Sequence, residues 1–301
     1  MHSYLRKEAR TLRPNQILPK WHSVKQSSIE LRKSMVEKTQ KVSTDPIDFF
    51  EQIIGIKPYT YQREFAEMFQ NNQFTAARWC RQSGKTYIIS ALLLWYAVTH
   101  PNSSIGIVGP SWRQTKRILS RIVAFTHNLP AGMAFKPQKT QIQFTNGSNI
   151  EAYPNNPETI RGPTLNVVYA DELNFVANDQ ELYDAILYTL ASTDGKFECS
   201  STPWHNDSIF FKIFNHKDFS EFKTSHVPVQ RALSPDGPLK PHIIDRIKTQ
   251  MGDDPSRWHR EMEAEWTEEE NLWLTQSLIA SCIGTSKNCI EELHTLDADA
   301  N

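Results

Sequence analysis

The stretch that most restricts this fold is a short strand-like run, Phe74 to Cys80, which turns through Arg81-Gln82-Ser83-Gly84 into an apolar helix-like run from Thr86 to Thr99. Ile88, Ile89, Ala91, Leu92, Leu93, Leu94, Trp95, Ala97 and Val98 make that helix one to be buried. The turn between them, Cys80-Arg81-Gln82-Ser83-Gly84-Lys85-Thr86, has the chemistry of a phosphate cradle. Backbone N–H groups and the positive end of a helix dipole face an anion there, Lys85 can reach β- and γ-phosphates, and Thr86 can hold Mg²⁺. The match to the general pattern is confined to its Gly-Lys-[Ser/Thr] end, because Trp79 stands where that pattern has its first glycine. Gly84-Lys85-Thr86 alone is weak evidence, since the same three residues can also open an ordinary helix.

A chain of 301 residues can bury a sizeable core as one enlarged α/β domain with appendages or as two domains. No apolar run reaches the roughly 18 residues that span a bilayer, and the N-terminus has no apolar signal core, so a cytoplasmic protein without membrane contact is expected. Cys80, Cys199, Cys282 and Cys289 have neither CxxC nor zinc spacing and read as reduced thiols, the first two in the core. The formal net charge of −1 hides a basic arm at residues 1–45 and an acidic stretch from Glu261 onward. This polarity suits a nucleic-acid contact or head-to-tail assembly, and equally two solvated tails.

The order of elements continues the α/β theme. Pro46 to Ile56 and Tyr59 to Phe69 read as helices, Ser104 to Val108 as a strand, and Gln114 to Phe125 as an amphipathic helix. Gln141 to Thr145 and Ser148 to Tyr153 form a hairpin about Asn146-Gly147. Leu165 to Ala170 and Phe197 to Thr202 read as buried strands around a helix at Asp179 to Leu190. Strands alternating with helices predict a central, mostly parallel sheet flanked by helices. The divisions expected are the arm at 1–45, a core at 46–204, a small helical lid at 205–266, and an acidic segment at 267–301 with one helix near Leu274 to Ile283.

Two further groups bear chemistry. Asn166-Val167-Val168-Tyr169-Ala170-Asp171-Glu172 is an apolar strand ending in two acids, which such a sheet delivers to its ligand-binding edge. Asp171 is placed to hold Mg²⁺ through a water, and Glu172 to polarise an attacking water. Ser200-Ser201-Thr202-Pro203 closes the next strand with hydroxyls that could sense a γ-phosphate, or simply end a strand in solvent.

Together these residues resemble the ATPase domain of large terminase subunits, the DNA-packaging motors of tailed double-stranded DNA viruses, over about Pro46 to Trp266. Arg81-Gln82 resembles the family's altered phosphate loop, Asp171-Glu172 its Walker B end, Ser201-Thr202-Pro203 its coupling motif, and Tyr61-Gln62 its adenine-reading element. The resemblance implies an ASCE, RecA-like P-loop NTPase that binds ATP and Mg²⁺ through Cys80, Arg81, Gln82, Ser83, Gly84, Lys85, Thr86 and Asp171. It implies Glu172 as base, Arg81 as an arginine reaching the γ-phosphate in cis, and Arg161 as one donated in trans. Such an arginine accelerates phosphoryl transfer by roughly 10³ to 10⁵. Trp112, Arg113 and Lys116 resemble a motif that touches DNA phosphate.

The implied partners are double-stranded DNA, a portal or procapsid, a small terminase subunit, and further copies in a homo-oligomeric ring, a pentamer, with a monomer possible in isolation. The implied setting is the host cytoplasm, with the protein absent from the mature virion. Leu272 to Ile279 resembles the linker to the family's nuclease domain, and too little chain follows Trp266 for that domain, so no DNA cleavage by this chain is expected. The rival readings are a superfamily 2 helicase-like ATPase, which needs a second RecA-like domain, and a non-hydrolysing nucleotide-binding assembly module.

Overall fold

The computed structural model describes residues 42–252 and 254–267. Most of the basic arm, nearly all of the acidic segment, the helix expected near Leu274, and Cys282 and Cys289 lie outside these described residues. At the start, Asp45 accepts hydrogen bonds from the backbone N–H groups of Ile47 and Asp48 at 2.8 and 2.9 Å, and Pro46 takes the first position of α1 (Pro46–Phe49). A π-turn over Phe50–Ile54 and a left-handed Gly55 end that segment. Helix α2 (Thr60–Asn71) begins where Gln62 Oε1 accepts from the Tyr59 N–H at 3.1 Å, the return half of a capping box.

Strand β1 (Phe74–Trp79) then leads through the 80–84 turn into α3 (Lys85–Thr99), whose apolar residues are buried nearly all round as their distribution requires. Next come β2 (Ser104–Val108) and the amphipathic α4 (Trp112–Thr126), with Ser111 capping through a bond from Gln114 N–H. The hairpin β3 (Gln141–Gln143) and β4 (Asn149–Ala152) turns at Asn146-Gly147, with Gly147 at φ 88. The chain continues through α5 (Pro157–Arg161), β5 (Val167–Asp171), α6 (Asp179–Leu190), β6 (Lys196–Ser201), α7 (Ile209–Asn215), β7 (Lys223–Val227), α8 (Pro241–Gln250) and α9 (Pro255–Trp258).

The strands form one sheet in the order β3-β4-β2-β5-β6-β1-β7, parallel except for the β3–β4 pair. One face carries Ala77, Ile105, Ile107, Val167 and Tyr169 against α2, α3 and α4, and the other carries Val168, Ala170, Phe197 and Cys199 against α6 and α7. Because β1, β5 and β6 run in the same direction, the 80–84 turn, Asp171-Glu172 and Ser201-Thr202 end at one edge.

The stretch 205–266, read as a small, mostly helical unit, also contributes a strand. Lys223–Val227 is a strand added to the sheet beside β1, in register from Thr75↔Lys223 to Trp79↔Val227. Lys-Thr-Ser-His-Val has one strongly apolar residue, since an edge strand is half exposed and is defined by its ladder with β1 rather than by an apolar run.

Trp79 explains the missing glycine of the phosphate-loop pattern. It is still within β1, fully buried, with its ring edge-on to Tyr61 and Phe65 at 5.1 and 5.2 Å and its Nε1–H donating to Ser225 Oγ at 2.9 Å. The side chain therefore joins α2 and β7 to β1 below the turn. Restoring the general pattern with Trp79→Gly should cost about 3–5 kcal/mol, the range for emptying a large aromatic site. Urea unfolding checks this, and a loss below about 1 kcal/mol would refute the packing role.

Candidate functional site

The turn between β1 and α3 is held from several sides. Cys80 N–H donates to Val227 O at 2.8 Å, Arg81 N–H to Glu261 O at 2.9 Å, and Ser83 Oγ to Cys80 O at 2.8 Å. Behind the turn, Tyr61 Oη donates to Ser83 O at 2.7 Å and Gln62 Nε2 to the same oxygen at 3.3 Å. Gly84 caps α3 at φ 85, a backbone shape that favours glycine, and a Cβ on it would stand 2.6 Å from Gln62 Nε2, so the amide would have to shift to admit a side chain. Burial pushes the Cys80 thiol up to about 12, which makes it an inert wall rather than a nucleophile.

In front of the turn is a cavity of about 620 Å³, lined by residues 80–87 and by Gln114, Arg121, Glu172, Phe175 and Thr202 among others. Lys85 is 7 % exposed, and its Nζ lies 3.2 Å from Glu172 Oε1. Glu172 Oε2 in turn accepts from Ser201 Oγ at 3.1 Å and from the Thr202 N–H at 3.3 Å, with Pro203 buried next to them. The Glu172 backbone is left-handed at φ 49, ψ 47, a conformation that turns the chain away from β5 just as its carboxylate enters the cleft.

Asp171 is buried at the end of β5 and lines a smaller recess of about 170 Å³ together with Thr86, Gln114, Arg117 and Arg121. Burial, and then the neighbouring Glu172 charge, raise its carboxyl above the usual range, while Lys85, Tyr169 and Ser200 oppose that rise. Burial and the Asp171 charge keep the Tyr169 phenol protonated, as a hydrogen-bond donor. Among the described residues no group of three or more His, Cys, Asp or Glu could cage a metal. A hydroxyl, one carboxylate and a roomy recess nonetheless fit Mg²⁺, which keeps several waters and takes its other ligands from phosphate.

Residues 80–281 of the 301 match the family described as terminase large subunit, T4likevirus-type, N-terminal. The chain belongs to that family. The crystal structure of the bacteriophage HK97 large terminase superposes with a TM-score of 0.63 at 17 % identity, covering 77 % of this chain and 56 % of that one. The large terminase of a thermophilic bacteriophage in complex with ADP gives 0.59 at 13 % identity, covering 70 % and 54 %. These likenesses establish a shared fold. Tripartite terminase subunit 3 of Saimiriine herpesvirus 2 is 26 % identical over 153 residues, which is 47 % of this chain and 21 % of the herpesvirus protein. The chain thus spans about a fifth of the length of the curated relatives it matches.

Against the expected terminase site, the structure brings together Cys80 to Thr86, Asp171, Glu172, Ser201 and Thr202. Tyr61 and Gln62 do not line the cavity. The Gln62 amide is occupied by Tyr59 N–H and Ser83 O and is 4 % exposed, so in this structure it braces the loop instead of offering itself to an adenine. The Arg81 side chain, 58 % exposed, pairs with Glu261. Arg161 sits on α5, paired with Glu158, and does not line its own chain's cavity.

Sequence reasoning missed Glu261, Arg121 and Tyr169. Arg121 had a signal in the polar spacing Gln114, Arg117, Arg121 along one face of α4, and Tyr169 in its position two residues before Asp171 on a strand. Glu261 had none, because its contact with Arg81 joins residues 180 apart. If Gln62 closes the space over Gly84, Gly84→Ala should destabilise less in a Gln62→Ala background than in wild type. A coupling of about 1 kcal/mol is the expected result of that double-mutant cycle, and strict additivity would remove the contact from the account.

Proposed function

We propose that this chain is the ATPase motor domain of a viral large terminase, which couples Mg²⁺-dependent ATP hydrolysis to translocation of double-stranded DNA into a procapsid. The observation that carries the proposal is the linkage at one sheet edge of Lys85, Glu172 and the Ser201-Thr202 turn around a cavity bounded by the phosphate loop. The ADP complex of the thermophilic phage terminase supports the nucleotide as ligand.

Backbone N–H groups of the turn and the N-terminus of α3 receive the β-phosphate, and Lys85 bridges to the γ-phosphate. Thr86 and Asp171 would hold Mg²⁺, which when bound neutralises phosphate charge. Glu172 acts as general base, and its two oxygens give the step an order. Incoming phosphate draws Lys85 from Oε1, leaving that oxygen for the attacking water, while Oε2 stays bonded to Ser201 and Thr202. Any later shift of Glu172 is therefore felt directly by the turn after β6, the path by which hydrolysis would reach DNA. Arg81 must leave Glu261 to touch the γ-phosphate in cis, and Arg161, exposed and paired with Glu158, would be donated to a neighbouring subunit's nucleotide. The partners that fit this reading are double-stranded DNA, a portal, a small terminase subunit and other copies in a ring, in the host cytoplasm.

ATP turnover tests the proposal. Glu172→Gln should retain nucleotide binding and lose on the order of 100-fold or more in kcat, because it removes the base but not the shape. Equal rates for variant and wild type, with or without DNA, would sink the enzyme reading. For the trans role, wild-type turnover per chain should rise with protein concentration, and Arg161→Ala should flatten that rise by on the order of 10³-fold at saturation. A concentration dependence that survives Arg161→Ala would assign the role elsewhere.

A further inference from the structure

Tyr169 and Asp171 are two residues apart on β5, so the strand's period of two turns both side chains to the face packed against α3. On that face β6 sets the buried Glu198 and Ser200 in register with Tyr169 and Asp171, and the tyrosine ring is fully buried among them and the apolar core. Phenylalanine would fill the same volume without bringing a hydroxyl into the core, where an unpartnered one is costly. The hydroxyl has a specific partner. Tyr169 Oη donates to Asp171 Oδ1 at 2.5 Å and lies 2.8 Å from Ser200 Oγ.

Ser200 is the register partner of Asp171 on β6, also fully buried, and its Oγ is 3.3 Å from the same Oδ1. A phenol has one proton to give. With that proton on Asp171, the serine must supply the second one, to the phenol oxygen or to the carboxylate. Both neighbouring hydroxyls therefore stand beside Oδ1, one from the carboxylate's own strand and one from the adjacent strand. Both hydroxyl contacts are to Oδ1 and neither is to Oδ2, and Asp171 lines the smaller recess together with Thr86.

We propose that Tyr169, assisted by Ser200, is a positioning residue that orients the Asp171 carboxylate toward Thr86, so that the cation accompanying a bound nucleotide meets a preset oxygen. This inference rests on the nucleotide-binding reading above. Tyr169 touches neither nucleotide nor cation and acts only through Asp171. Residues that hold a metal's ligand in place without touching the metal change its affinity by on the order of 10- to 100-fold when removed.

The test uses a fluorescent non-hydrolysable ATP analogue with the full chain, first in EDTA and then titrated with Mn²⁺, whose free concentration is followed by electron paramagnetic resonance. Tyr169→Phe should bind the analogue in EDTA with wild-type affinity, while its Mn²⁺ affinity in the presence of analogue falls by on the order of 10-fold. Ser200→Ala, a smaller change that serves if the phenylalanine variant fails to fold, should fall in the same direction by a lesser factor. Unchanged Mn²⁺ affinity in either folded variant, or equal losses with and without metal, overturns the positioning role. Wild-type protein that binds no analogue in either condition instead overturns the nucleotide reading on which it rests.

Discussion

The Lys85–Glu172 pair is the contact on which the site depends. A nearly buried ammonium at the start of α3 needs a counter-charge, and the carboxylate that supplies it is carried on the turn after β5. The same carboxylate is bonded to Ser201 and to the Thr202 backbone, so three separate strand ends converge on one side chain. This is a structural consequence of parallel strands, which bring successive loops to one edge. The left-handed backbone at Glu172 is a local strain that the surrounding hydrogen bonds hold in place.

The phosphate loop departs from its general pattern in a way that the rest of the fold compensates. Trp79 stays in the strand and packs under α2, and α2 returns the support by sending Tyr61 Oη and Gln62 Nε2 to the Ser83 carbonyl. Gly84 suits the turn through its φ of 85, and any side chain there would displace the Gln62 amide from its place behind the loop. Two residues that resemble a base-reading element thus serve the loop's shape. From the other side, Glu261 holds both the backbone and the side chain of Arg81, which ties the region after α9 to the loop that would receive the nucleotide.

The order and type of the main elements were legible because their signals are local. The buried α3, the strands β1, β2, β5 and β6, and the Asn146-Gly147 hairpin all declare themselves by apolar period or turn chemistry. Lys85, Asp171 and Glu172 were legible for the same reason, since each stands at a strand or helix terminus whose direction the pattern sets. Strand β7 was not, because Lys223–Val227 has the composition of a loop and becomes a strand only through its ladder with β1.

By itself, then, the sequence determined a mostly parallel α/β sheet with a phosphate-loop turn and two acids at its ligand edge, since propensity, period and turn residues act over a few neighbours. Only the tertiary structure decided what those residues touch. Gln62 turns to Ser83, Arg81 to Glu261, and Tyr169 to Asp171 because hydrogen bonds and ion pairs are short-ranged. The partners of Gln62 and Arg81 come from distant parts of the chain and meet only when the sheet and its helices are packed. In the Tyr169–Asp171 pair, the strand supplies the proximity and the buried core makes the hydroxyl depend on the carboxylate.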